Sequence, residues 1–205
     1  MKAIFITVRS GSSRLPSKAL LEIENKTTIE YVIENAKRSK KADIIVLCTT
    51  TLEEDDKLCD IAKKNNIKYF RGSVEDKLDR WHNACKQYGV DFFVTADGDD
   101  LFCSHELMDL AFSQYEKNDS EFIQGSGLVS GSFTYGIAAS ALSKACAIKT
   151  TNKTEMMWVY FTETDICKVE DLEGVPEVFL RDDLRMTLDY QEDLVLGDIE
   201  VGLQD

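Results

Sequence analysis

Arg9, Arg14 and Lys18 punctuate a run of small and polar residues, Ser10, Gly11, Ser12, Ser13 and Ser17, near the start of the 205-residue chain. Small residues let backbone N–H groups close on phosphate oxygens, and guanidinium and ammonium groups add charge, so the stretch has the parts of an anion grip. Its spacing is neither the G-x-x-x-x-G-K-[ST] of a P-loop nor the G-x-G-x-x-G dinucleotide fingerprint. By composition alone it serves equally well as a solvated polar loop with incidental cations. The second chemically suggestive group is acidic: Asp97-Gly98-Asp99-Asp100, and later Asp189 and Asp193. Carboxylates of this kind hold Mg²⁺ beside polyphosphates, one or two of them acting with the phosphate oxygens, and Asp99 and Asp189 are the two candidates at expected strand ends. Asp97 and Asp100 fit as well as turn caps, and Asp193 as a first-turn residue of a last helix. His82 and His105 fall inside expected helices away from any nucleophile, so no Ser/His/Asp or Cys/His triad can be assembled.

Such residues work only if a scaffold brings them together. Short β-branched runs alternate with helical stretches through the first half, which predicts a parallel sheet covered by helices, the doubly wound arrangement. Strands are expected over residues 3–8, 43–48, 67–70 and 91–96. The first is almost wholly apolar, as befits a strand buried on both faces. The grip thus follows the carboxyl end of the first strand, where open α/β sheets bind ligands. Helices are expected from Thr27 or Thr28 to about 38, over about 52–65, from a Ser73/Asp76 capping pair to about 88, and over about 104–117. Beyond Asp119 the pattern loosens. Strands are expected over 121–124, 133–139, 165–169 and 175–180, with a helix over 141–148 and close turns where Gly125, Gly127, Gly131 and Gly136 cluster.

Composition narrows the field. A net charge of −13 would repel the phosphate backbone of DNA or RNA, so a nucleic-acid partner is excluded, whereas a small anion feels the local cations more than distant, screened charges. Six scattered cysteines, Cys48, Cys59, Cys85, Cys103, Cys146 and Cys167, form no C-x-x-C pair or zinc spacing and read as free thiols of a reducing cytosol. The opening MKAIFITV run is too short for a signal segment or membrane span, which makes a cytoplasmic protein the expectation. One domain over 1–205 is expected. The end of the chain has no apolar helix of the kind that closes such a sheet, so the sequence also reads as a segment of a longer polypeptide.

The grip, R-x-G-S-x-R-L-P-x-K after an N-terminal strand, resembles the CMP-sugar synthetase superfamily, and within it the cytidylyltransferase family of spore coat polysaccharide biosynthesis protein F. Four further segments are similar in the same order: Leu47-Cys48-Thr49-Thr50, Phe70-Arg71-Gly72-Ser73 with Glu75 to Arg80, Asp97 to Leu101, and Thr187 to Leu194. Trp81 stands where that family usually has Tyr, no proline follows Asp100-Leu101, and Thr154-Glu155-Met156-Met157 replaces a Glu-His pair of many relatives.

The resemblance implies a Rossmann-like nucleotide-diphospho-sugar transferase fold, with a nucleotide half over about 1–118 and an acceptor and dimerisation half over about 119–205. It implies CMP transfer from CTP to an acidic sugar, or another small acidic or phosphorylated acceptor, with pyrophosphate release, serving cell-surface polysaccharide synthesis. Arg14, Lys18 and Asp99 would be catalytic, and Asp99 and Asp189 would hold Mg²⁺. Arg9, Ser10, Gly11, Ser12, Ser13, Arg14, Lys18, Thr49, Thr50 and Arg71 would bind the nucleotide, although Arg71 and Arg80 also read as surface partners of Glu75 or Asp76. Tyr135, Gly136 and Glu155 would bind the acceptor, Trp158 falls in the same half, and a homodimer is implied. Two other readings remain open from the residues: a glycosyltransferase using Asp97-Gly98-Asp99 as a D-x-D metal motif, and a non-catalytic nucleotide-binding module.

Overall fold

The computed structural model describes residues 1–11 and 14–194. A seven-stranded sheet forms its centre, with strands β1 (Lys2–Thr7), β4 (Ile44–Thr50), β5 (Lys68–Gly72), β6 (Phe92–Asp97), β7 (Phe122–Gln124), β8 (Tyr135–Ala138) and β9 (Val169–Asp171). The spatial order is β5-β4-β1-β6-β8-β7-β9. The first four strands of that order run parallel, β8 is antiparallel to both β6 and β7, and β9 returns parallel to β7. The mainly parallel sheet expected from the alternation is therefore present.

Helices α1 (Thr28–Lys37), α2 (Asp56–Lys64), α3 (Lys77–Tyr88), α4 (His105–Asn118), α5 (Ala139–Ile148) and the short α6 (Val159–Thr162) cover it. Adjacent residues of a strand face opposite ways. Phe92 stacks on Tyr115 and meets Phe112 edge-on, both of α4, whereas Phe93 meets Trp81 of α3, so these two helices lie on opposite faces. Ala3, Ile4, Phe5 and Ile6 are fully buried between them, which is why the stretch between Lys2 and Thr7, the two ends of β1, is wholly apolar. Among the described residues no helix is long and apolar enough to cross a membrane, and all six cysteines are free.

Local chemistry sets several boundaries as expected. Thr27 and Glu30 form a reciprocal capping box at α1, and Ser104 caps α4 by accepting from the Leu107 N–H. At α3 the cap is Asp76, which accepts from the Asp79 N–H, while Ser73 accepts one residue too early to be the cap. A two-stranded hairpin, β2 (Glu22–Ile23) and β3 (Lys26–Thr27), occupies what reads as loop. Its turn residues Glu24 and Asn25 take φ of 47° and 66° without the glycine that normally announces such a turn. The strand expected over 165–169 begins only at Val169. The one expected over 175–180 is a single 3₁₀ turn, Glu177–Phe179, entered through Pro176, which has no N–H for a ladder. Asp189 follows an isolated bridge between Ser130 and Arg185, not a strand.

Candidate active site

Thr7 and Asp97 are register partners at the carboxyl ends of β1 and β6. From β1 the chain runs by way of α1 to β4 on one side, while β6 lies on the other, and a crevice opens where the order reverses. Gly98 is required there: a Cβ at that position would stand 2.6 Å from Val8 Cγ2, so only glycine lets the acidic turn pass the grip. Trp81 of α3 donates its indole N–H to Thr7 Oγ1 at 2.8 Å, tying that helix to the end of β1.

A cavity of about 390 Å³ fills the crevice, walled by the cations Arg9, Arg14, Lys18, Lys77 and Arg80 and by the carboxylates Asp97, Asp99 and Glu155. The acidic chain thus reverses its sign locally. Lys18 follows Ser17, whose φ of 53° turns the chain inward. Its ammonium is shared between Asp99, in a short contact, and Asp189, at 3.3 Å, and also donates to the Leu188 carbonyl at 3.1 Å. Arg14 reaches the same Asp189 oxygen at 3.0 Å. Asp193 sets the position of Asp189 by accepting from its N–H at 2.8 Å and from that of Tyr190 at 2.9 Å. Hydrogen bonding from Arg185, helped by those two amides and opposed by partial burial, holds the Asp193 carboxyl down to about 2.

Two carboxylates converging on one ammonium are a fair test of whether a divalent ion fits. Both offer hard oxygen donors. Burial and then the neighbouring Asp97 push the Asp99 carboxyl up, against the pull of Lys18, so further positive charge there is favoured. Among the described residues no group of three or more His, Cys, Asp or Glu side chains is placed to hold a metal ion by itself. A cation at Asp99 and Asp189 would need phosphate oxygens to complete its shell, which is how Mg²⁺ is held beside nucleotides. The residues fit the ion in that form.

The deeper wall is unusual. Arg80 is 2% exposed and its guanidinium donates to the Ser73 carbonyl at 2.7 Å, yet among the described residues its Nε has no partner and no carboxylate contacts it. Burial pulls its pKa down. Lys77, one helical turn earlier, pairs with Asp97 at 2.9 Å and lies 5.1 Å from the centre of the Trp81 ring. A buried charge without a partner is costly unless a ligand supplies the counter-charge.

A family model described as Cytidylyltransferase matches residues 3–175. The chain belongs to the cytidylyltransferase family. It is accordingly a nucleotidyltransferase. It is 34% identical over 199 residues to the uncharacterized protein MJ1063 of Methanocaldococcus jannaschii, covering 96% of this chain and 82% of that protein. It is 26% identical over 195 residues to the spore coat polysaccharide biosynthesis protein SpsF of Bacillus subtilis, covering 92% and 81% respectively. The solved structure of a cytidylyltransferase from Leptospira borgpetersenii superposes with a TM-score of 0.86 at 28% identity, over 96% of this chain and 84% of that one.

Set on this cytidylyltransferase framework, the residues singled out by sequence divide. Arg9, Gly11, Arg14, Lys18 and Asp99 line the cation-walled cavity, and Ser12 and Ser13 lie outside the described residues. Ser10 is turned away: its N–H donates to Asp55 at 2.7 Å and its hydroxyl to the Glu54 carbonyl, which leaves neither for phosphate. Thr50 donates to the same Asp55, Thr49 is fully buried, and neither lines the cavity. Arg71 pairs with Asp56 at 2.6 Å and caps the carbonyls of Thr50 and Leu52 outside the crevice. Glu155, expected on the acceptor side, stands in the cationic wall and pairs with Arg9 at 3.1 Å. Gly136 packs under Phe92, whose ring would be 2.7 Å from an added Cβ, so its role is close strand packing.

Lys77 and Arg80 escaped a sequence assignment to this wall. Their i, i+3 spacing on a helix that starts beside a strand end was the available signal. Beyond Asp99 a second cavity of about 470 Å³ shares Asp97 and Asp99 with the first and is walled by Asp100, Gln124, Ser126, Thr134 and Tyr135 among others.

Proposed function

We propose that the protein transfers CMP from CTP to a hydroxyl of a small acidic sugar, releasing pyrophosphate. The observation that carries this reading is the difference in charge across Asp99: five cations wall one cavity, outnumbering its three carboxylates. The cavity beyond it has no Lys, Arg or His among its described lining residues and is walled by carboxylates, hydroxyls, Gln124 and the apolar Leu128, Val129 and Phe133. A triphosphate belongs to the first, the acceptor to the second, and the reacting phosphorus to their junction.

Arg14 and Lys18 are now bound to Asp189 and Asp99. A triphosphate offers these cations stronger anionic partners and frees carboxylate lone pairs. Mg²⁺ held by Asp99 and Asp189 would then supply further neutralisation of phosphate charge. The acceptor oxygen forms a bond to the α-phosphorus while the bond from that phosphorus to the α,β-bridging oxygen breaks. The electron pair leaves with pyrophosphate, and the hydroxyl proton passes to solvent. Arg14 and Lys18 stabilise the charge building on the leaving group, while Lys77 and Arg80 hold phosphate or ribose oxygens at the cavity floor.

The family supports cytidine as the base, and the likeness to a spore coat polysaccharide biosynthesis protein supports a place in cell-surface polysaccharide synthesis. Pairing of two copies through the second half is supported by exposed Met156, Trp158, Val178, Leu180 and Leu184 there. A D-x-D glycosyltransferase has less support, because Lys77 holds Asp97 apart from the Lys18 cluster. The deciding experiment measures pyrophosphate release with Mg²⁺ across CTP, UTP, ATP and GTP and a panel of sugars. Release with CTP foremost is expected, whereas hydrolysis of nucleotide sugars without pyrophosphate release from any triphosphate would overturn the proposal.

A further inference from the structure

Apart from the core that fills the two faces of the sheet, a second and smaller one gathers Leu15, Ile23, Leu101 and Leu188, each at most 6% exposed. Three of them neighbour the charged groups of the crevice in sequence: Leu15 follows Arg14, Leu101 stands two residues after Asp99, and Leu188 precedes Asp189. Ile23 comes from the β2–β3 hairpin. Segments far apart in the chain thus meet through apolar contact directly beside the side chains they carry. Leu188 adds polar ties to that contact. Its N–H donates to the Asp99 carbonyl at 2.9 Å, and its own carbonyl accepts from the Lys18 ammonium at 3.1 Å.

Arg14 and Lys18 hold Asp189 by charge, and both are cations that a triphosphate would claim. With those cations turned to phosphate, Asp99 and Asp189 would face each other with like charge until a divalent ion is shared between them. Whatever fixes their separation must then be uncharged. The Asp193 carboxylate and the Thr187 hydroxyl also touch Asp189, but both belong to its own segment and set only the local turn. The Ser130 carbonyl holds that segment at Met186, three residues earlier. Leu188, by contrast, spans the two carboxylate-bearing segments directly. We infer that Leu188 is a positioning residue for metal-assisted CTP binding, setting Asp189 opposite Asp99 through its bond to the Asp99 carbonyl and its seat in the small core. The inference rests on the cytidylyl-transfer reading with Mg²⁺ and adds to it a residue without a polar side chain. Groups that support metal ligands from behind govern affinity nearly as strongly as the ligands do.

Calorimetry of the whole protein with CTP, with and without Mg²⁺ and with no acceptor present, reads this device apart from turnover. In the parent, Mg²⁺ should tighten CTP binding. Leu188→Ala should reduce that tightening by roughly tenfold or more, while metal-free CTP affinity stays within about threefold of the parent. Leu188→Met, which nearly keeps the volume, should restore the Mg²⁺ effect. Leu142→Ala, a like truncation in the main core on α5, should lower the melting temperature and leave the Mg²⁺ effect intact. Should Leu188→Ala fail to fold, Leu188→Val carries the same comparison with a smaller shift. A Leu188 variant that melts lower with a parent-like Mg²⁺ effect overturns the inference, as does an equal loss in Leu142→Ala. A parent that binds CTP without help from Mg²⁺ overturns it together with the metal assignment, whereas failure to bind CTP removes the cytidylyl reading itself.

Discussion

The two cavities share Asp97 and Asp99 and differ in almost everything else. The first gathers Arg9, Arg14, Lys18, Lys77 and Arg80 from the β1 loop and α3, elements of the parallel half of the sheet. The second draws Gln124, Ser126, Thr134 and Tyr135 from β7, β8 and the segment joining them, where the sheet turns antiparallel. The contrast teaches that net charge says little about a site: a chain of −13 holds a strongly cationic pocket beside an acidic one. Where parallel strands end together, the following loops and helix starts converge, and few residues suffice to concentrate charge. The antiparallel half contributes shape and uncharged polar groups.

The comparison breaks most visibly at the junction. Asp99→Asn should lower turnover by roughly 100- to 1,000-fold while the melting temperature stays nearly constant, because the carboxylate removed is one that burial already disfavours. Steady-state rates at saturating Mg²⁺ with parallel calorimetric melting test this, and retained turnover would detach the reacting phosphorus from Asp99. Next in size is Arg80→Met. Losing a charged donor should weaken CTP binding by about 1.5–3 kcal/mol, tenfold or more in Kd. Stability should hold or rise, since an unpaired buried charge gives way to an apolar chain. A lowered melting temperature with unchanged CTP affinity would make Arg80 a structural residue and weaken the charge contrast.

On the other side, Tyr135→Phe should raise the acceptor KM severalfold, about 1 kcal/mol, and leave the CTP KM alone. Equal changes in both constants would mean that the cavities do not divide the substrates. The smallest effect calibrates the rest. Glu30 lies away from both cavities; burial opposes its charge, but hydrogen bonds from the Thr27 N–H and hydroxyl, Lys64 and Asn65 outweigh it and bring the carboxyl down to about 2 from an ordinary 4.5. A depressed carboxyl stabilises the fold above its unfolded value and loses that effect as pH falls through the folded one. Glu30→Gln should therefore cost about 1 kcal/mol at neutral pH, with the gap to the parent closing between pH 4.5 and 2, and neither KM should move. Denaturant melts across that range check the sign.

The sequence by itself determined the features written in local period and local chemistry. Alternating apolar runs specified the parallel strands, Thr27 with Glu30 and Ser104 specified helix starts, and the place of Arg9, Arg14 and Lys18 after β1 put them at the crevice. Thr187 to Leu194 resembled the family's ending, and the structure brings Asp189 of that segment to Lys18 beside Asp99. Only the tertiary structure decided what the remaining polar groups face. Ser10 and Thr50 lose their donors to Asp55, Arg71 turns out to Asp56, Glu155 crosses to the cationic wall, and Arg80 is buried with no carboxylate in contact among the described residues. The hairpin turn at Glu24 and Asn25 escaped notice because its left-handed conformation is held without glycine. Periodicity records which side of an element is buried, but the chemistry of a polar group is set within a few ångströms by partners that chain folding brings from far along the sequence, and no local pattern carries that information.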